Sequence, residues 1–200
     1  MKNKTKLRTG GPRGDSGVMV KFGPFETTYT GRIFSIKKRD VIFPDGSKQS
    51  HEYCQRFNSV TVLPFDVQGK LLLTREVRIG QKVRTQWFVP CGKIDDGETP
   101  RQSAQREMRE ESGYRAETLK LISKRGPNSE YFIWDMYLFA AKDLVKDPLA
   151  GGDEHFPIQV VPTPLAKAVE MAMAGTIENE YIAIQIIRFE YLVKNGLFKW

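Results

Sequence analysis

The segment from Gly92 to Tyr114 constrains this chain most, because it joins a glycine-bounded loop directly to a predicted helix. Thr99 can cap that helix, with Pro100 at the first helical position and Gln102 completing a capping box. Gly113 suits the C-terminal end of the same helix. The segment therefore predicts a loop-to-helix junction around which a domain is built.

The predicted helix carries three carboxylates, Glu107, Glu110 and Glu111, at offsets of 0, 3 and 4. At about 100° per residue they share one face, where their mutual repulsion favours a bound cation. The alternative is a solvated acidic face neutralised by Arg106 and Arg109. Ligands that are all oxygens select a hard cation, so the pattern favours Mg²⁺, with Mn²⁺ as its substitute.

The loop from Pro90 to Glu98 leads straight into this helix. Its two glycines, Gly92 and Gly97, let the backbone approach the carboxylates closely, and a carbonyl group there can turn toward the same metal. Loop and helix together give Gly92, five residues, Glu98, seven residues, and then Arg-Glu-Met-Arg-Glu-Glu-Ser-Gly-Tyr.

This spacing resembles the Nudix box, the catalytic signature of Nudix hydrolases, at all seven of its fixed residues. At about 7% usage per residue type, such a match arises by chance in about one chain of this size in a million. Tyr114 departs from the aliphatic residue that is usual at the last position. The resemblance implies a metal-dependent hydrolase that cleaves a pyrophosphate bond.

The resemblance also implies a role for each matching residue. Glu107 and Glu111 correspond to the principal metal ligands, and Glu110 to a further ligand or an organiser of bound water that takes part in catalysis. The backbone carbonyl of Cys91 corresponds to the backbone ligand. The residues that correspond to structural support of the box are Gly92, Glu98, Arg106 and Gly113.

Hydrolysis also needs a general base. Because the carboxylates of the box are expected to be occupied by metal, the base is sought elsewhere in the chain. Similar acidic loops supply the base or an extra metal ligand in ADP-ribose pyrophosphatases, and this chain has such a loop at residues 149–155. Glu154 is the first candidate and Asp153 the second, with Glu130 as a further alternative. The competing interpretation is that both loop acids are merely solvated.

The similarity extends beyond the box, in segments such as Gly69–Arg78 and Trp87–Asp95, to the ADP-ribose and nucleoside-diphosphate-sugar pyrophosphatases. Arg78 matches an arginine that contacts substrate phosphates, and Glu130 matches a glutamate of a substrate loop that is shorter here than usual. Phe34 is a candidate for stacking on the base, with core packing as the alternative. The resemblance implies a small nucleotide-sugar substrate and a homodimer with exchanged N-terminal subdomains.

The chain is divided by its strand and helix signals into a basic tail at residues 1–16, an antiparallel β subdomain at 17–57 and a catalytic domain at 58–200. The predicted fold class is α+β, an α/β/α sandwich of the Nudix type with a mixed sheet between helices. Pro44–Ser47 predicts a turn between two strands of the subdomain, and Asp66–Gly69 predicts a second hairpin.

Residues 131–141 are apolar at nearly every position, which predicts one central strand covered on both faces. Short strands are predicted at residues 86–90 and 157–161. A second helix is predicted to begin at Thr163 and end at Gly175, and a third to run from Asn179 to Asn195. An apolar stripe on the third helix predicts core packing without a cofactor role: Ile182, Ile186, Phe189 and Val193.

The net charge of +7 raises the question of a nucleic-acid partner. Much of this charge lies in residues 1–16, which hold five basic residues against one acidic residue and are typical of a solvated tail. The distribution therefore argues against nucleic acid. Two alternatives stay open: an RNA 5′-end, cap or dinucleotide pyrophosphohydrolase, and a non-catalytic Nudix regulator.

Membrane insertion and secretion are not expected, because the chain has no run of eighteen apolar residues and no signal-peptide pattern. Cys54 and Cys91 are too few for a disulfide framework, and both are interpreted as reduced thiols. We therefore expect a cytoplasmic protein with no membrane partner.

Overall fold

The computed structural model describes residues 19–80, 82–127, 130–150 and 156–200. The tail predicted at residues 1–16 and the candidate bases Asp153 and Glu154 lie outside the described residues. The chain forms two compact units, one reaching to Arg56 and including Pro127–Trp134, the other comprising Phe57–Gly126 and Asp135–Trp200. Pro127 and residues 130–134 thus belong with the N-terminal strands, although they follow the acidic helix in sequence.

The described residues form twelve strands and three helices. In chain order they are β1 (Lys21–Phe22), β2 (Glu26–Thr30), β3 (Phe34–Ile42), β4 (Lys48–Arg56), β5 (Ser59–Pro64), β6 (Lys70–Ile79), β7 (Val83–Phe88), β8 (Cys91–Lys93), α1 (Pro100–Ser112), β9 (Tyr114–Arg125), β10 (Phe132–Ile133), β11 (Met136–Lys146), β12 (Gln159–Pro164), α2 (Leu165–Met173) and α3 (Glu180–Lys194).

The first unit is a sheet ordered β1-β3-β4-β10, with β2 paired to β3. The hairpin of β3 and β4 places Phe34 opposite Arg56 and Ile42 opposite Lys48. In the turn between them, the amide of Ser47 donates to Asp45 Oδ1 at 2.9 Å. The predicted turn between two strands is confirmed.

Several aromatic side chains of the first unit are exposed, although Tyr53 is buried. Phe34, for which core packing was the alternative, is 43% exposed, and Phe22 is 45% exposed. Phe22 instead supports the guanidinium of Arg39, which lies 4.0 Å from its ring centroid. The physical reason is that none of the helices described belongs to this unit, so no helix of its own covers the sheet.

The strands of the second unit are divided between a four-stranded sheet ordered β8-β5-β11-β9 and a three-stranded sheet ordered β12-β6-β7. β11 pairs with β5 in parallel, with Met136 opposite Ser59. The other strand pairs of these two sheets are antiparallel. The four-stranded sheet is therefore mixed, as predicted.

Alternating side chains on β5 divide the hydrophobic core in two. Val60 and Val62 pack in one cluster with Met108 of α1, and Leu63 packs in a second cluster with Ile186 of α3. All five side chains are at most 1% exposed. Because successive residues of a strand point to opposite faces, α1 lies on one face of the sheet and α3 on the other. This arrangement confirms the α+β class.

The prediction of a hairpin around Asp66–Gly69 is correct for the turn but wrong for the pairing of the two flanking strands. The amides of Gln68 and Lys70 donate to Asp66 Oδ1, at 2.9 and 2.8 Å, so the turn itself forms. β5 and β6 nevertheless belong to different sheets and meet only at an isolated bridge between Phe65 and Leu71. Local turn chemistry closes the chain back on itself but does not decide which strand edges pair.

The single strand predicted at residues 131–141 is two strands, β10 and β11, which belong to different units. The chain leaves the first sheet at Trp134, and the amide of Asp135 donates to Asn58 Oδ1 at 2.8 Å. β11 does lie inside its sheet, between β5 and β9, so the predicted central position is confirmed for residues 136–141. An apolar run is equally compatible with one strand or two.

The second and third helices lie close to their predicted bounds. Asn179 caps α3, because its side chain accepts the amide of Ile182 at 3.0 Å. Ile182 and Phe189 are buried as expected, whereas Val193, in the last turn, is 43% exposed. The described helices include none that is long and apolar enough to cross a bilayer.

Candidate active site

Helix α1 forms from the local signals in its sequence. The hydroxyl of Thr99 accepts the amide of Gln102, and the side chain of Gln102 accepts the amide of Thr99, which completes the capping box. Gly113 ends the helix in the left-handed region, at φ 78°. Glu107 and Glu111 each lie three residues after a buried apolar side chain of the helix. The two glutamates are themselves only 8% and 5% exposed. Packing of the helix therefore holds these two carboxylates largely out of water.

Glu111 joins the helix to the loop before it. The amide of Cys91 donates to Glu111 Oε2 at 2.8 Å. The sequence predicts the backbone carbonyl of Cys91 as a metal ligand, whereas the contact that Cys91 makes with Glu111 in the structure is through its backbone N–H. This hydrogen bond holds the start of β8 against the carboxylate.

Gly92 is required by close packing. A Cβ atom at this position would overlap the carboxylate of Glu107, at a separation that real Cβ atoms do not show. The backbone of β8 therefore passes directly over the carboxylate, which only glycine allows.

Arg106 connects the loop to all of the helix carboxylates except Glu111. Its Nε and NH2 atoms donate to the two carboxylate oxygens of Glu98, at 2.9 and 3.0 Å. Its NH1 atom donates to Glu107 at 2.7 Å and to Glu110 at 3.0 Å. NH2 also reaches the carbonyl of Lys93 at 2.9 Å. The side chain predicted to tie helix to loop makes these contacts with every nitrogen of its guanidinium group.

The carboxylates of the site are crowded and poorly hydrated. Burial raises the pKa of Glu107 to about 7, although Arg106 opposes this shift. Burial, and then the nearby carboxylate of Glu76, raise the pKa of Glu111 well above its usual range. By contrast, the hydrogen bonds from Arg106 lower the pKa of Glu98. A bound cation would relieve the repulsion around Glu107 and Glu111.

Glu76 was missed at the sequence level, although it is only 1% exposed and close enough to influence Glu111 electrostatically. It lies on β6, two residues before Arg78, and the two side chains form an ion pair. The available signal was an acidic residue within a strand, on the same face as Leu72 and Thr74, which are both buried.

Arg78 lies beside this cluster. Its guanidinium lies 4.5 Å from the ring centroid of Phe88, and NH2 lies 4.0 Å from Cys91 Sγ. The side chain is 34% exposed. Burial, and then the charge of Glu111, raise the pKa of the Cys91 thiol, which keeps this sulfur protonated and neutral. The structure therefore places a half-buried cation next to the buried carboxylates.

The donor set suits a hard divalent cation on chemical grounds. The ligands offered by α1 are carboxylate oxygens alone, and the missing Cβ of Gly92 leaves the backbone close to Glu107. Within the part of the chain that the structure describes, no three His, Cys, Asp or Glu side chains converge as a ready-made metal shell. Arg106 engages Glu107 and Glu110 instead, and Cys91 engages Glu111. These are the contacts that a metal would share or replace.

The other candidate residues either belong to the first unit or lie outside the described residues. Glu130 and Phe34 belong to the first unit, where both are exposed. The ring of Phe34 lies 6.0 Å from that of Tyr29. Glu154 and Asp153 are outside the described residues. The second unit by itself therefore brings together the residues of the box, Arg78 and Glu76.

Comparison with known proteins agrees with this site. The model of the NUDIX domain family matches residues 55–178. The chain is 32% identical over 148 residues to the ADP compounds hydrolase NudE of Escherichia coli (strain K12), covering 73% of this chain and 78% of the relative. It is 32% identical over 176 residues to an ADP-ribose pyrophosphatase of Mycobacterium tuberculosis, covering 86% of this chain and 83% of the relative.

The fold is also found among solved structures. The crystal structure of an ADP compounds hydrolase aligns with a TM-score of 0.73 and 27% sequence identity, covering 88% of this chain and 96% of that chain. Nudix hydrolases generally use a divalent metal ion, in agreement with the oxygen-only donors of α1. Since the family model spans more than half of the chain, including the whole box, the chain belongs to the NUDIX domain family and is a Nudix hydrolase.

Proposed function

We propose that the protein hydrolyses the pyrophosphate bond of ADP-ribose or of another nucleoside diphosphate linked to a sugar, releasing a nucleoside monophosphate and a sugar phosphate. The observation that carries this proposal is the complete carboxylate helix, with Glu107, Glu110 and Glu111 beside the loop at Gly92. Relatives named for ADP-ribose and for ADP compounds support the substrate class. A descendant kept only as a regulator would be free to lose these carboxylates, and none is lost.

The metal in this proposal is Mg²⁺, with Mn²⁺ as its substitute, because every donor is oxygen. Glu107, Glu110, Glu111 and the backbone carbonyl of Cys91 would hold it. When bound, such an ion neutralises phosphate oxygens and lowers the pKa of coordinated water.

The chain's own residues supply orientation and proton transfer. Arg78, one-third exposed beside the carboxylates, binds the phosphates of the substrate. Arg106 fixes Glu107 and Glu110 through its NH1 atom. A carboxylate outside the box, Glu154 first and Asp153 or Glu130 as alternatives, accepts a proton from the attacking water. The water oxygen then forms a bond to phosphorus as the bridging phosphorus–oxygen bond breaks, and the leaving phosphate carries away the electron pair.

The first unit contributes to assembly and to base recognition in this proposal. It exposes several large side chains for its size: Phe22, Tyr29, Ile33, Phe34, Tyr131 and Phe132. Exposed apolar surface of this kind supports a homodimer with exchanged N-terminal subdomains, in which Phe34 stacks on the base. Light scattering of the cytoplasmic protein is expected to give twice the chain mass of 22.9 kDa, and a mass of one chain would contradict the dimer.

The substrate proposal is tested by turnover. Purified protein is incubated with Mg²⁺ and, separately, ADP-ribose, GDP-mannose, UDP-glucose, a dinucleotide and capped RNA, and release of nucleoside monophosphate is measured. We expect the highest kcat/KM with ADP-ribose or another nucleotide sugar. Preference for capped RNA would favour the RNA alternative, and no turnover of any compound would refute the enzymatic proposal.

A further inference from the structure

The inward face of β6 carries an unusual run of polar side chains. Because side chains alternate along a strand, Thr74, Glu76 and Arg78 project from the same face. Thr74 is fully buried and Glu76 is 1% exposed, whereas the side chain of Arg78 is 34% exposed. The three residues therefore form a polar row that runs from the interior of the second unit toward solvent.

The row is connected by direct contacts. The hydroxyl of Thr74 donates to Glu76 Oε1, and NH2 of Arg78 forms an ion pair with Glu76 Oε2. The guanidinium of Arg78 also packs 4.5 Å from the Phe88 ring centroid and 4.0 Å from Cys91 Sγ. Thus Glu76 holds the guanidinium from the interior side, while the ring and the sulfur limit its movement elsewhere.

Burial makes the ion pair between Glu76 and Arg78 difficult to break. A buried carboxylate left without its cation is strongly destabilising, so Arg78 cannot move away from Glu76 without a large loss of stability. An arginine side chain loses conformational entropy when a ligand fixes it, and here much of that ordering takes place during folding. The ion pair therefore fixes the position of the guanidinium before any ligand binds.

The position of Glu76 also carries an electrostatic cost. Its carboxylate repels Glu111, one of the proposed metal ligands, and any phosphate near Arg78. A neutral residue of the same size would avoid both repulsions. The negative charge is therefore expected to have a compensating effect, and the contact with Arg78 provides one.

We propose that Glu76 is a positioning residue that fixes the guanidinium of Arg78 for binding the diphosphate of the substrate. This inference rests on the proposed function, because the phosphate-binding role of Arg78 is part of it. Glu76 touches neither the scissile bond nor the metal ligands in this proposal. Its effect on diphosphate binding is exerted through Arg78, with Thr74 orienting its carboxylate.

The direction in which Glu76→Gln changes the affinity for ADP separates this role from simple charge repulsion. Glu76→Gln preserves size and an acceptor oxygen but holds a guanidinium more weakly than a carboxylate does. If Glu76 positions Arg78, this substitution weakens ADP binding about fivefold and raises KM for ADP-ribose by a similar factor, with kcat within about twofold. If Glu76 acts only through its charge, the same substitution tightens binding of the anionic ligand, which would overturn the proposal.

A double-mutant cycle separates positioning from general structural support. Affinity for ADP is measured by isothermal titration calorimetry in wild-type protein, Glu76→Gln, Arg78→Gln and the double variant. In the Arg78→Gln background, Glu76→Gln is expected to change the dissociation constant by less than about twofold. An equal weakening in both backgrounds would show that Glu76 does not act through Arg78. Glu170→Gln, which removes an exposed ion pair with Lys167, is the matched control and is expected to bind ADP normally.

Two further readouts keep the test decisive. Should Glu76→Gln fail to fold, as judged by thermal melting, Thr74→Val removes the hydroxyl that orients Glu76 and is expected to weaken ADP binding about twofold; unchanged binding would overturn the proposal. Calorimetry does not require turnover, so a protein that binds ADP but hydrolyses no nucleotide sugar contradicts the proposed function alone. Wild-type protein that fails to bind ADP contradicts the role of Arg78 and this inference with it.

Discussion

At the scale of single residues, the two most buried carboxylates of α1 have different partners. Glu111 accepts the amide of Cys91 at 2.8 Å, and Glu107 is held by Arg106 at 2.7 Å. Both lose hydration, and burial is the largest cause of the raised pKa in each. Their negative charges therefore oppose folding of the metal-free protein, and the same charges favour a cation once the protein is folded.

Substitution of Glu111 separates these two effects. Glu111→Gln keeps an oxygen that can accept the Cys91 amide but removes the buried ionisable carboxyl group. We expect kcat to fall at least about 100-fold because a metal ligand is lost, while the melting temperature stays the same or rises. The exposed Glu117→Gln is the control for activity. Near-normal turnover of Glu111→Gln would contradict its assignment as a ligand.

Glu107 makes stability depend on pH. Its pKa is near 4.5 in the unfolded chain and about 7 in the folded protein, so between these values the folded protein binds more protons. Its contribution to stability is therefore fully present below about pH 4.5 and is lost as pH rises toward 7. In EDTA, the melting temperature should fall between pH 5.5 and 7.5 by about 5 °C more in wild-type protein than in Glu107→Gln. Parallel pH profiles would argue against a protonated Glu107.

At the scale of elements, the junction between β8 and α1 sets the geometry of the site. β8 passes so close to α1 that a side chain at residue 92 would meet Glu107. The same junction is held by Arg106, which bridges Glu107 and Glu110 of α1 to Glu98 of the loop and to the carbonyl of Lys93 in β8. A small displacement here would alter the metal ligands without unfolding the domain.

Gly92→Ala tests this junction. The new Cβ would displace the carboxylate of Glu107, so we expect turnover to fall at least about tenfold, with a loss of about 1 to 3 kcal/mol in the free energy of unfolding. The matched control is Gly80→Ala, since an added Cβ at Gly80 meets no atom within 4 Å. Activity and urea-induced unfolding are measured for both variants. Similar behaviour of the two would show that close packing at residue 92 is not important.

At the scale of the whole molecule, metal binding and folding are linked, because the unfolded chain does not hold the carboxylates together. At a Mg²⁺ concentration ten times the dissociation constant, this linkage adds about 1.4 kcal/mol of stability. For a protein of this size the melting temperature should rise by about 3 to 5 °C. The rise should be below about 1 °C in Glu111→Gln. An equal rise in both proteins, measured by calorimetry, would place the stabilising ion elsewhere.

Features set by neighbouring residues could be predicted well from the sequence. The capping box at Thr99, the helix end at Gly113 and the turn at Pro44–Ser47 depend on contacts within a few residues, and all three are present. The seven fixed residues of the box also lie within one continuous segment, so they could be recognised from their spacing. The structure brings the helix and its loop together as that spacing implies.

Features set by distant residues could not be predicted in this way. The turn at Asp66–Gly69 forms, yet its two strands join different sheets, since parallel pairing of β5 with β11 depends on a segment more than seventy residues away. The strand Phe132–Ile133 joins the N-terminal sheet through a pairing of the same kind, between Phe132 and Cys54.

The chain by itself determined the chemistry of its site, because carboxylate identity, their 0, 3, 4 spacing and the glycines around them are properties of one continuous segment. Only the tertiary structure decided how far those carboxylates are buried and that Glu76 and Arg78, on β6, lie beside them. The reason is physical: burial and long-range charge depend on which strands pack together, and strand pairing is governed by contacts between segments far apart in sequence.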